Sequence, residues 1–137
     1  MLLTYRSDLF IMRNYILILF FGLIMLASCN KEVDVEPANL KGTWAYYYAD
    51  NNYFEAMRFH DDGKFQYMEK YGYEKVYKDR NEGEDFTFSY LLEDKTITIR
   101  RHNPSQTEPV IVRTFRIKKL TRARLAEEDG FQWRKED

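Results

Sequence analysis

Three charged side chains interrupt the apolar faces that strand alternation predicts in this 137-residue chain: Glu55, Glu69 and Arg113. Residues i and i+2 of a β-strand share a face. The sets that carry these three are otherwise apolar: Tyr53, Glu55, Met57 and Phe59; Phe65, Tyr67, Glu69 and Tyr71; Ile111, Arg113, Phe115 and Ile117. A buried charge without a partner is costly, so each must pair, hydrate or escape. One reading makes them a polar pocket at a barrel mouth, walled by the amphipathic rings of Tyr46, Tyr48, Tyr67 and Tyr90. The other carries them to strand ends, where they reach water or a bulge shifts the register.

Catalytic chemistry finds little else to work with. Glu55 and Glu69, on neighbouring strands, are the one carboxylate pair placed for hydrolysis. No serine sits in a Gly-x-Ser-x-Gly turn, and no glycine-rich loop is present to cradle a phosphate. His60-Asp61-Asp62 carries metal-ligating groups but overlaps a hairpin turn, and His102 stands alone beside Asn103-Pro104. The reading is non-catalytic, with no cofactor and no metal.

The single cysteine, Cys29, follows an apolar run of 12 residues, YILILFFGLIML, from Tyr15 to Leu26. A permanent membrane span needs roughly 20 apolar residues. The shorter run fits a secretory signal, with Met12-Arg13-Asn14 as its basic n-region and either Met1 or Met12 as the start. Leu26-Ala27-Ser28-Cys29 resembles a bacterial lipobox. That resemblance implies cleavage before Cys29, acylation of its thiol, and a cell-envelope address on the outer membrane, facing the periplasm or the cell surface. Two acyl chains suffice for stable anchoring. Residues 1–28 hold Arg6, Arg13 and Asp8, so removing them from 21 basic and 22 acidic residues leaves 19 and 21, a net charge of −2. That balance argues against a nucleic-acid partner.

The elements that must position the charged residues are short. Residues 29–39 read as the lipidated cysteine and a flexible tether, since NKEVDVEPAN is polar and contains Pro37. Its acidic residues resemble surface-export signals. From residue 40 to 137, aromatic and β-branched runs alternate with turn signals at the spacing of an all-β sandwich or barrel. Predicted strands cover residues 42–49, 53–60, 65–71, 86–92, 95–101, 110–118, 122–127 and 131–134, with 72–78 as a bent extension. Asp62-Gly63 is the strongest hairpin signal, of the type I′ kind. About eight antiparallel strands make a small up-and-down barrel, which removes exposed edges by closing.

Leu40-Lys41-Gly42-Thr43-Trp44 resembles the Gly-x-Trp opening of lipocalin-like domains, and Phe59-His60-Asp61-Asp62-Gly63-Lys64-Phe65 is similar to their second hairpin. Gly130-Phe131-Gln132-Trp133-Arg134 resembles the closing strand of small lipocalin-like lipoproteins of Bacteroidota. The resemblance implies that Gly42 and Trp44 close the barrel floor and that a late arginine, Arg134 or Arg124, packs over the tryptophan. It implies a binding module for a small, partly apolar ligand. The alternative is a structural envelope protein with a side-chain-filled barrel, whose outer surface meets a protein partner.

Overall fold

Period-two alternation becomes antiparallel strands wherever an apolar set can be buried on one side. The computed structural model describes residues 31–47 and 52–136. It contains a one-turn helix α1 (Pro37–Leu40) and strands β1 (Gly42–Tyr47), β2 (Tyr53–Phe59), β3 (Lys64–Tyr71), β4 (Lys78–Asp79), β5 (Thr87–Glu93), β6 (Thr96–His102), β7 (Val110–Leu120), β8 (Arg124–Glu127) and β9 (Gln132–Lys135). Every pairing is antiparallel: β1 with β2, β2 with β3, β3 with β5, then each strand in turn to β9, which returns to β1. The result is a closed eight-stranded barrel, with β4 added beside the distal half of β3.

The hairpins at 60–63, 94–95 and 121–123 lie at one end, called here the floor. The loops at 72–86, 103–109 and 128–131 lie at the other, the mouth. The floor half is filled by side chains: Trp44, Met57, Phe59, Ile97, Ile99, Ile117, Leu120 and Leu125 are each at most 1 % exposed. Eight strands enclose an interior just wide enough for such filling.

Residues 29–39 were expected to form a flexible tether, and the segment from Glu32 onward instead packs on the floor. Glu32 bridges Thr121, the Val33 amide donates to the Leu120 carbonyl at 2.9 Å, and Val33 and Val35 pack against the core. Leu40, fully buried at the end of α1, offers its carbonyl to Trp44 Nε1 at 2.6 Å. The two valines share one face of an extended segment, and the barrel's open end gives that face something to cover.

Three further expectations change. The type I′ geometry falls at Asp94-Lys95, both with positive φ (43° and 65°), whereas in the Asp62-Gly63 turn only Gly63 is positive, at 82°. That loop is longer, running from His60 to Lys64, so it requires one left-handed residue and not two. Ile111 is 61 % exposed, because a register shift between Ile99 and Arg100 inserts an extra residue into β7 and turns Ile111 outward. The cation over Trp44 is Lys135, with Nζ 5.2 Å from the ring, while Arg134 is exposed on the outer face. Trp133 points inward, so alternation sends Arg134 outward and Lys135 back in. Gly42 has φ 122°, a conformation side chains rarely adopt, which explains glycine at the entrance to β1.

The outer face is not wholly polar. Ala45, Ala56 and Met68 are paired neighbours across β1, β2 and β3, and Tyr77 from the β3–β4 loop covers them.

Candidate functional site

Arg113 is carried into the barrel by β7, two residues before the buried Phe115. Its partner is Glu127 of β8, whose side chain is fully buried. Arg113 Nη2 donates to both carboxylate oxygens at 2.8 and 2.7 Å, and Trp133 Nε1 donates to Oε1 at 2.6 Å. The guanidinium lies near the rings of Phe115 (4.6 Å), Trp133 (5.7 Å) and Phe131 (5.8 Å). Burial pushes Glu127 above the ordinary carboxylate range, opposed by the charge of Arg113 and the Trp133 hydrogen bond. Alternation from Leu125 would have placed Glu127 inward, so the signal was present in the sequence.

Tyr46 and Tyr67 join this group. The Tyr46 ring contacts Trp133 (5.5 Å) and Phe131 (5.6 Å), and Tyr67 packs edge-on to Phe65 and Phe88 at 4.8 and 5.2 Å. Burial raises the Tyr67 phenol, and the charges of Arg113 and Arg80 pull it back. Glu55 and Glu69 face each other across β2 and β3, but nearer the rim. Glu55 reaches Arg80 at 3.4 Å, and Glu69 accepts from the Tyr53 hydroxyl at 2.9 Å. Burial, helped by Glu69, pushes the Tyr53 phenol up to about 12.

Tyr90 does not belong with them. Its hydroxyl donates to the His60 carbonyl at 2.9 Å, and its ring meets Phe59 at 5.1 Å, so it seals the floor. Its strand runs from mouth to floor, and position 90 falls below the level of Phe88. Tyr48 lies outside the described residues.

One opening lies in the barrel wall. β3 and β5 share only two register pairs, Lys64 with Ser89 and Phe65 with Phe88, before they part. β3 then turns to β4, which pairs with Met68 and Glu69. The divergence leaves a cleft of about 680 Å³. Phe65, Phe86 and Phe88 form its aromatic part, and its polar lining includes His60, Gln66, Asp79, Ser89 and His102. These polar groups are already ordered. His60 Nε2 meets Gln66 Oε1 at 2.8 Å, Gln66 Nε2 donates to Asp79 Oδ2 at 2.8 Å, and the Asn81 amide donates to Asp79 Oδ1 at 2.9 Å. Ser89 Oγ and His102 Nε2 lie 2.6 Å apart. A nucleophilic serine also needs its histidine oriented by a third group. Among the described residues no side chain bonds the second ring nitrogen of His102, so the pair offers hydrogen bonding rather than an activated hydroxyl. Neither histidine had a sequence signal for this role, because β3 and β5 meet only through the tertiary fold.

Among the described residues no cluster of three or more His, Cys, Asp or Glu side chains could hold a metal ion, and no helix is long and apolar enough to cross a membrane. Cys29 lies outside the described residues.

No family model matches this chain, and no curated protein matches it. An NMR structure of a protein from Bacteroides thetaiotaomicron is similar at 14 % identity and a TM-score of 0.49, covering 79 % of this chain and 99 % of that one.

Proposed function

We propose that this chain is a lipid-anchored envelope protein of the small lipocalin-like kind, whose barrel is a non-catalytic binding module for a small, partly apolar ligand. The observation that carries the reading is the cleft of about 680 Å³ between β3 and β5, with three phenylalanines inside and ordered hydrogen-bonding groups at its lip. Ligand sites are typically concave, roughly 300–1,000 Å³, mostly apolar, with a few convergent polar groups. The filled floor favours the wall cleft and the mouth over a central lumen as the ligand's place. The anchor rests on Leu26-Ala27-Ser28-Cys29 at the end of an apolar run.

A second reading, an envelope protein that works through its outer surface, is favoured by Tyr71, Tyr73 and Val76 of the β3–β4 segment, of which Tyr73 is 83 % exposed.

The test is native mass spectrometry of the full chain, recovered from membranes and incubated with an envelope extract. A bound small molecule that is lost on Phe88→Ala supports the binding module. A bare protein, or retention in Phe88→Ala, refutes it in favour of the surface reading. Cys29→Ser in the same preparation should leave the protein without its acyl mass.

A further inference from the structure

We infer that the ligand carries an anionic group and that Arg101, at the mouth end of β6, is its seat; this rests on the binding-module reading and adds the chemistry of the ligand's polar end. Arg101 shares the inward face of β6 with the fully buried Ile97 and Ile99. It is half-buried, with its Cα paired with that of Phe88 and its guanidinium carbon 5.4 Å from the centre of the Phe86 ring. Both phenylalanines line the cleft.

Arg101 has no ionic partner among the described residues. Its Nε is buried and makes no hydrogen bond among the described residues, and no carboxylate pairs with it there. The acidic groups of the inner face are otherwise engaged: Glu127 holds Arg113, Glu55 reaches Arg80, and Glu69 accepts from Tyr53. A sheltered guanidinium that no protein group neutralises is costly to keep. A planar fork of N–H donors beside an aromatic ring suits a carboxylate, sulfonate or phosphate ester on an apolar body, which would lie along Phe86 and Phe88.

The selectivity is for charge, so the probe is a matched pair: naphthalene-2-carboxylate and its uncharged isostere naphthalene-2-carboxamide. Each is titrated calorimetrically into the full chain in lipid nanodiscs. The carboxylate is expected to bind about tenfold more tightly than the carboxamide. In Arg101→Gln the preference should fall to about one and the unfolding temperature should be equal or higher, since a charged group without an ionic partner among the described residues has been removed. A wild-type ratio near one, or a preference that survives in folded Arg101→Gln, overturns the anion seat while leaving the binding module intact. If neither probe binds, both readings fall. The wild-type ratio decides the case even where the variant does not fold.

Discussion

The two ends of this barrel solve different problems with the same alternation. At the floor, the inward positions are apolar apart from Lys135 over Trp44, and the space is closed by Trp44, Phe59, Leu120 and Leu125, with Val33, Val35 and Leu40 laid across it. At the mouth, the inward positions hold Arg101, Arg113 and Glu127 among aromatic rings, and the wall opens between β3 and β5. The floor follows the rule that burial favours apolar side chains. The mouth breaks it at these three and again nearer the rim at Glu55 and Glu69, and departures of that kind gather where a protein does something other than fold. The difference sets a packed, apolar end against one that carries charged groups and an open wall.

Truncation should expose that division most strongly. Trp44→Ala at the floor is expected to cost about 3–5 kcal/mol, through lost burial and the cavity it leaves. Tyr46→Ala, on the same face of the same strand but toward the mouth, should cost only about 1–2 kcal/mol, because its half-buried ring forfeits less. Urea unfolding with unchanged slopes measures both, and equal losses would dissolve the distinction between the ends.

The Arg113–Glu127 pair gives a smaller effect with a more telling pattern. Glu127→Ala should cost about 2 kcal/mol, below the usual penalty for breaking a buried pair, because Arg113 keeps 27 % of its side chain in contact with water. The double variant Arg113→Met, Glu127→Leu should sit close to the wild type in stability, since apolar residues of similar volume replace a desolvated ion pair. A double variant as unstable as the sum of its parts would mean that the pair is a net stabiliser, and the mouth would then resemble the floor.

The pH dependence of Glu127 is the finest probe. Burial raises its folded-state pKa, so the folded state holds the proton more tightly than the unfolded chain. Its contribution to stability is therefore full below the ordinary carboxylate range and is lost as pH rises through the raised value. Thermal unfolding of wild type and Glu127→Gln between about pH 4 and 7 should show the wild type losing ground as pH increases. A difference that grows in the wild type's favour would reverse the assigned direction.

Much of this was legible from alternation and turn residues. The inward placement of Glu55, Glu69 and Arg113 followed from their i, i+2 neighbours, and the strand positions followed from the Gly, Asp and Asn clusters between them. Arg101 and Glu127 obeyed the same parity and could have been read the same way, from Ile99 and Leu125. The cleft could not. It exists because β3 leaves β5 after two paired residues, and the neighbours at its lip, Gln66 and Asp79, or Ser89 and His102, are separated by whole strands or hairpins. The fate of residues 32–40 was hidden for the same reason: Val33 and Val35 are core residues only because a barrel end lies next to them.

The sequence by itself determined which residues share a face wherever no bulge intervenes, where the chain turns, and that the cysteine stands behind an apolar run, because each depends on a period or motif a few residues long. Only the tertiary structure decided that Tyr90 closes the floor, that Lys135 and not Arg134 covers Trp44, that Glu127 answers Arg113, and that Arg101 has no ionic partner among the described residues. Those outcomes depend on strand stagger, two register shifts and one early parting of strands, which arise from contacts between segments far apart in the chain.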